Sequence, residues 1–229
     1  MKTIGLLGGM SWESTVSYYT KINQGVNHKL GGLHSAKIVM YSVDFDSIEK
    51  LQHMGDWVTT ANILTKAAKK IQLAGADFLV ICTNTMHKVA NEINQNIDIP
   101  LLHIVDATAQ ALIKNKIKKV GLVGTSFTME QEFYKDRLMK NCNIEVVTPN
   151  EKDREIIHNI IYDELCLGKI EEKSKITLLR IVETLSRKGA EAVILGCTEV
   201  GLLIEQTDTQ IPLYDTTDIH ASSAVEYAI

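Results

Sequence analysis

The sequence predicts an α/β protein made of two similar doubly wound, parallel-sheet domains related by a pseudo-two-fold axis. Two observations predict it: the chain repeats itself, and each repeat alternates strands with helices. Ile4-Gly-Leu-Leu-Gly-Gly-Met-Ser11 returns as Val120-Gly-Leu-Val-Gly-Thr-Ser126-Phe127, 116 residues later. Gly75-Ala-Asp-Phe-Leu-Val-Ile-Cys-Thr-Asn-Thr85 returns as Gly189-Ala-Glu-Ala-Val-Ile-Leu-Gly-Cys-Thr-Glu199, 114 residues later, and Ile99-Pro-Leu101 as Ile211-Pro-Leu213, 112 later. Any one of these could be a chance likeness between strand–turn–helix corners. Three in the same order at nearly one spacing point to two halves of about 110 residues, each a repeated supersecondary unit.

Elements follow from periodicity. In the first half, Ile4–Leu7, Ala36–Val43, Phe78–Cys82 and Leu101–Ile104 are short apolar or alternating runs, the pattern of buried strands. Val16, Tyr19, Ile22, Val26 and Leu30 step by three and four residues and predict one apolar helix face, with Ser11 as N-cap and Gly31-Gly32 as its stop. Trp57, Ala61, Leu64, Ala68 and Ile71 predict a second, closed at Gly75. The second half repeats the scheme, with strands near Val120–Val123, Ile144–Val147, Val193–Leu195 and Leu213–Tyr214. Its helices carry Phe133/Arg137/Leu138, Ile156/Ile157/Ile160/Ile161 and Ile176/Leu179/Val182. Strands alternating with helices imply parallel sheets with right-handed crossovers. A last helix, about Thr217 to Ala228, is expected to cross back onto the first domain. The domains are therefore 1–105 plus 216–229, and 106–215, with no Gly/Ser or Pro linker between them.

Composition narrows the function classes. The 229 residues carry 24 Lys+Arg against 28 Asp+Glu, a net charge of −4, with 45% hydrophobic and 23% charged residues. That is an ordinary globular composition. Without a basic block it argues against nucleic acid or an anionic membrane as partner. The densest basic run, Lys114 to Lys119, is broken by Asn115 and Ile117 and reads as a solvated helix end leading into a strand. No apolar stretch approaches the ~18 residues of a membrane span, and the short apolar opening runs into Trp12-Glu13, unlike a signal peptide. Four cysteines without a short-spaced pair give neither a disulfide framework nor a zinc site, and the histidines show no metal spacing. Neither G-x-G-x-x-G nor a Walker A sequence occurs. The expectation is a cytoplasmic protein with free thiols.

Ligands of open α/β sheets bind outside the carboxyl ends of the strands. Small and polar residues gather at those corners: Gly8-Gly9-Met10-Ser11 and Gly124-Thr125-Ser126 after the first strands, Thr83-Asn84-Thr85 and Cys197-Thr198-Glu199 after the third. Backbone N–H groups there, backed by a helix N-terminus, favour a carboxylate. With the halves packed about a pseudo-two-fold axis, both third-strand corners face one interdomain cleft, Thr83 on one side and Cys197 on the other. Aligning Gly75 on Gly189 sets Cys82 opposite Gly196 and Thr83 opposite Cys197, and strand alternation turns Cys82 away from the face Thr83 uses. Cys82, Cys142 and Cys166 read as packing residues. Cys197 ends a strand and heads a helix, a setting that can lower a thiol pKa, and its thiol is expected at a cleft wall outside the core; taken alone, packing serves equally well. His87, one helical turn after Thr83, is either a satisfied local histidine or a proton relay.

Gly8-Gly9-Met10-Ser11, Thr83-Asn-Thr-Met-His87 and Leu195-Gly-Cys-Thr-Glu199 resemble the aspartate/glutamate racemase family over nearly the whole chain. The resemblance implies a cofactor-independent enzyme that inverts an amino acid by two-base 1,1-proton transfer at Cα, with aspartate or glutamate as the substrate. It implies Cys197 as the second-domain acid/base. The family's first cysteine falls at position 83, here threonine, a departure that resembles the Thr/Cys type of L-aspartate/glutamate-specific bacterial racemases. By the same resemblance Asn84, Thr85 and Thr198 hold the α-carboxylate, Met10 and Thr125 line the site, and the assembly is a homodimer. Family members often set basic side chains on the distal carboxylate; Gln52 lies in the corresponding first-domain loop, and Glu164-Leu-Cys-Leu-Gly168 supplies no lysine. Two alternatives remain beside a racemase: another isomerase or decarboxylase of small carboxylic acids, and a non-catalytic two-domain protein that closes on a carboxylate.

Overall fold

Eight strands form two four-stranded parallel sheets of the same order. In the computed structural model, which describes residues 1–229, the first sheet joins β1 (Ile4–Gly8), β2 (Ile38–Ser42), β3 (Phe78–Ile81) and β4 (Leu101–Leu102) as β2-β1-β3-β4. The second joins β5 (Lys119–Gly124), β6 (Glu145–Val147), β7 (Ala192–Gly196) and β8 (Leu213–Asp215) as β6-β5-β7-β8. The chain divides into unit 1, Met1–Ile104 with His220–Ile229, and unit 2, Val105–Ile219.

Helices fill the connections. Unit 1 carries α1 (Trp12–Leu30), α2 (Phe45–Met54), α3 (Trp57–Leu73), a 3-10 turn (Thr85–Val89) and α4 (Ala90–Asn94). The chain enters unit 2 at the start of α5 (Ile104–Lys114), followed by α6 (Ser126–Glu130), α7 (Glu132–Cys142), α8 (Glu151–Asn159) and α9 (Glu172–Arg187). It returns within α10 (Thr216–Ala228). None of these helices is long and apolar enough to cross a membrane.

The repeat is visible in the strand registers. Ile4 pairs with Phe78 and Val120 with Ala192; Leu79 pairs with Leu101 and Val193 with Leu213. Each second pair is the first carried forward by the sequence offsets. Helix packing repeats too. A Cβ on Gly5 of β1 would stand 2.4 Å from Ile71 of α3, and one on Gly121 of β5 2.9 Å from Leu185 of α9. In both units a side chain there would drive the crossover helix off the central strand.

Unit 1 has a core on each face of its sheet, sorted by strand alternation. Ile4, Leu6, Phe78, Val80 and Cys82 pack with Tyr18, Ile22 and Val26 of α1 and with Ala221, Ala224, Val225 and Ala228 of α10. Leu7, Leu79 and Ile81 pack on the other side with α3, Ile48 of α2 and Ile93 of α4. In unit 2, Val123, Val193 and Leu195 pack with Ile157 of α8 and with Leu178, Ile181, Val182 and Leu185 of α9.

Several helix faces differ from the sequence expectation. Ser11 does cap α1 (its Oγ accepts from Ser14 N–H at 3.2 Å) and Gly31 ends it, but Val16, Tyr19 and Leu30 are exposed while Ser14, Thr15 and Tyr18 are buried. The first turn decides this. Ser14 Oγ donates to the Cys82 carbonyl at 2.7 Å, and Thr15 Oγ1 accepts from Gly9 N–H at 2.8 Å. Turning those two polar residues inward rotates Val16 and Tyr19 out. Likewise Ile156 and Ile176 are exposed, and α9 buries the stripe Leu178, Ile181, Val182 and Leu185 instead. Gln52 lies on helix α2, not in a loop, and Ile104 starts α5 rather than ending a strand.

Three buried histidines gather in unit 1: the His87 ring lies 4.6 Å from that of His103 and 5.8 Å from that of His220. His220 Nδ1 meets Tyr18 Oη and Nε2 meets the Leu102 carbonyl, both at 2.8 Å. Burial holds the His220 pKa down to about 4, against a smaller upward pull from the Leu102 carbonyl. The native state thus keeps His220 neutral, while the unfolded chain takes a proton near pH 6.5. Between those values the unfolded state binds more protons, so stability falls as the pH falls from about 6.5 to 4, by about 3 kcal/mol in all from this group. Urea unfolding at pH 7.5 and 5.0 should show the loss, and His220→Gln should flatten the slope; a variant with the wild-type slope would refute the assignment.

Candidate active site

The sheet order places the candidate site within each unit. From β1 the chain steps to β2 on one side and to β3 on the other, so the order reverses between β1 and β3, and in unit 2 between β5 and β7. A crevice forms outside the carboxyl ends of strands at such a reversal. In unit 1 it is bordered by Gly8–Ser11 after β1 and Thr83–Thr85 after β3; in unit 2, by Thr125 after β5 and Cys197–Thr198 after β7. Gly8 to Ser11 is pinned by the Thr15 hydroxyl, which accepts from Gly9 N–H and donates to the Ser11 carbonyl at 2.9 Å, and by the Ser14 N–H, which donates to Ser11 Oγ. In unit 2, Gly124 pairs directly with Gly196, which brings Thr125 and Cys197 to the same edge.

In unit 1, Thr83, Asn84 and Thr85 are all buried. Cys82 faces the α1/α10 core, and burial pushes its thiol pKa strongly up, so it is a packing residue. The Thr83 carbonyl accepts from His87 Nδ1 at 2.8 Å, and His87 Nε2 accepts from Ile104 N–H at 3.2 Å. An N–H aimed at Nε2 requires the lone pair there and the proton on Nδ1. This neutral tautomer serves two backbone groups, which is the local-histidine reading. Met10 packs in the apolar cluster with Leu7 and Ile48, and Gln52 is buried on α2 four residues beyond Ile48.

In unit 2, Thr125 caps α6, its Oγ1 accepting from Thr128 N–H at 3.3 Å. Cys197 and Thr198 are buried beside Glu199, itself only 4% exposed. The Cys197 thiol donates to Glu199 Oε2 at 3.0 Å and Thr198 Oγ1 donates to the same oxygen at 2.6 Å. Two expectations for Cys197 are corrected here. The element after it is a short 3-10 turn (Val200–Leu202), which lacks the dipole of a full helix, and burial together with the Glu199 carboxylate drives the thiol pKa well up. The thiol also belongs to the apolar cluster of unit 2, because its strand continues the buried face of Val193 and Leu195.

In the sequence, Glu199 stands out only as part of a motif. Its signal is a carboxylate three residues past an apolar strand, inside a small-residue corner. Cys166 lies in the 3-10 turn Leu165–Leu167, packs against the Cys197 cluster, and raises the Cys197 pKa further. The preceding Ile160–Glu164 is a π-helical turn, a form frequent at functional sites.

With this geometry in view, comparison with known proteins is specific. A family model described as Asp/Glu/Hydantoin racemase matches residues 7–224. A Yersinia pestis protein assigned as an Asp/Glu racemase is 54% identical in its crystal structure, over 100% of this chain and 99% of that one, with a TM-score of 0.93. An aspartate racemase homologue from Pyrococcus horikoshii is 35% identical over 100% and 99%, with a TM-score of 0.86. The broad specificity amino-acid racemase RacX of Bacillus subtilis is 23% identical over 97% of this chain and 96% of its own. The chain belongs to the Asp/Glu/Hydantoin racemase family. As a member it is an isomerase, an amino-acid racemase.

The pinned β1 corner is open to test. Thr15→Val keeps shape but leaves the buried Gly9 N–H without its Oγ1 acceptor. A loss of about 1–3 kcal/mol is expected in urea unfolding; a change below ~0.5 kcal/mol would mean the corner holds its shape without that bond.

Proposed function

We propose that the protein racemises aspartate or glutamate without a cofactor, Thr83 and Cys197 acting as acid and base on opposite faces of one α-carbon. One observation carries this reading: Thr83 and Cys197 hold the same place, just past the third strand, in two units built to one plan. Inversion needs a base on one face and an acid on the other, and a duplicated corner supplies a pair of such groups.

The α-proton of an amino acid is far less acidic than any side chain. The carbanionic state therefore needs donors set in advance around the carboxylate. Asn84 and Thr85 are the unit 1 candidates. The Thr198 hydroxyl proton is already directed at Glu199, so in unit 2 we assign carboxylate binding to the backbone N–H groups of that corner. The likeness to an Asp/Glu racemase and an aspartate racemase homologue supports aspartate or glutamate as substrate, and Gln52 is the proposed side-chain contact in unit 1.

The two acid/base groups are unequal. A buried thiol can be driven to thiolate, whereas a threonine hydroxyl is a poor base, and His87 Nε2 is committed to Ile104 N–H. Free enantiomers have equal energies in water, so the equilibrium constant is one and kcat/KM is the same in both directions. The inequality must therefore split kcat and KM: from the D-enantiomer, kcat should be lower and KM lower in proportion.

Proton NMR in D2O with added L-aspartate or L-glutamate tests the reading, which expects loss of the α-proton signal without added cofactor. Cys197→Ser should cut exchange by on the order of 10²–10⁴, with stability followed in parallel because the thiol lies in the unit 2 core. Exchange within a few-fold of wild type would remove Cys197 from the mechanism. Thr83→Cys should raise kcat from the D-enantiomer; equal turnover from both enantiomers, unchanged in that variant, would show that Thr83 is not the weak partner.

A further inference from the structure

A thiol that is to take a Cα proton must first lose its own, and the structure surrounds Cys197 with protein rather than water. Its exposure is 7%, and the acceptor of its proton is Glu199 Oε2 at 3.0 Å. That oxygen accepts a second donor, Thr198 Oγ1–H, at 2.6 Å. Two donors converging on one buried oxygen suit an ionised carboxylate, which only accepts. Glu199 precedes the turn Val200–Leu202, yet its side chain makes no capping bond to it. Local capping therefore does not account for a carboxylate buried at this corner.

We propose that Glu199 is the proton partner of Cys197: Oε2 takes the thiol proton when Cys197 becomes the base and returns it when Cys197 becomes the acid. The assignment rests on the reading of Cys197 as an acid/base, and it makes Glu199 a positioning residue that acts through Cys197. In the step, the Sγ–H bond breaks, its electron pair stays on sulfur, and an O–H bond forms on Glu199. The charge moves from carboxylate to thiolate and the pair keeps one negative charge. The thiolate then takes the α-proton, and the Cα–H electron pair stays on the substrate, spread into its carboxylate. After inversion the pair holds one proton more, and Thr83 one fewer, than before. Turnover in reverse or exchange with water restores both. The bond from Thr198 fixes Oε2 toward sulfur and weakens its hold on the transferred proton.

The titratable groups acting on this thiol are Glu199 on its own corner and Cys166 from the turn Leu165–Leu167, and both favour the protonated form. Removing the Glu199 charge should therefore make the thiol easier to ionise while depriving it of its acceptor. Glu199→Gln keeps the shape and can still accept hydrogen bonds, but it cannot take the proton. Expected are a fall in kcat on the order of 10² in both directions with KM within a few-fold, together with site-resolved iodoacetamide labelling of Cys197 shifted to lower pH. Glu199→Asp should recover part of kcat.

A purely structural glutamate would not separate thiol reactivity from turnover in this way. Exchange near wild type in Glu199→Gln, an unshifted labelling profile, or Glu199→Asp no better than Glu199→Gln would each overturn the proposal. Should Glu199→Gln fail to fold, the wild-type protein decides: Cys197 labelling with a midpoint at or below an ordinary ~8.5 would mean a preformed thiolate that needs no acceptor. If Cys197→Ser itself keeps exchange, the racemase mechanism fails; if only Glu199→Gln does, this inference alone fails.

Discussion

Parallel pairing of the two central strands, β1 with β3 and β5 with β7, is the constraint on which everything else rests. Parallel strands end at the same edge of a sheet, so the loops that leave them meet there. In unit 1 that edge joins Gly8–Ser11 to Thr83–Thr85; in unit 2 it joins Thr125 to Cys197. The pairing also demands room for the crossover helices, which explains the glycine at the second position of the β1 apolar run and its counterpart in β5, Gly5 and Gly121.

The two units share this frame and differ in the electrostatics of the corner. In unit 1 the backbone behind Thr83 is fixed by a neutral histidine, His87, whose two ring nitrogens serve the Thr83 carbonyl and the Ile104 N–H. In unit 2 the thiol of Cys197 and the hydroxyl of Thr198 both point at one buried carboxylate. One corner is held by neutral hydrogen bonds and the other by a charge. Equivalent positions in a duplicated fold thus carry unequal local electrostatics.

Burial shapes the behaviour of these groups with pH. His220 stays neutral because a charged imidazole would be stranded between Tyr18 and the Leu102 carbonyl in the α1/α10 core. Cys197 stays protonated because a thiolate would lie in an apolar cluster beside a carboxylate. Desolvation is the largest cause of both, and at Cys197 the Glu199 carboxylate adds to it.

The duplication, the order of the strands along the chain and the candidate edge are legible in the sequence. Short apolar runs and repeat offsets of 112 to 116 are read directly along the chain, and they are enough to align Thr83 with Cys197. Helix faces were legible where apolar residues formed one stripe, as in α3, and misread where a second stripe competed. In α1 the hydroxyls of Ser14 and Thr15 turn inward to backbone groups as far away in sequence as Cys82, so no periodicity within the helix could show that Val16 and Tyr19 face outward. The state of Cys197 was likewise beyond reach of spacing. Its position suggested a lowered pKa, but that pKa depends on how much protein surrounds the sulfur and on where the Glu199 carboxylate points. Both are set by packing across strands and turns distant in sequence, and only the tertiary structure decides them.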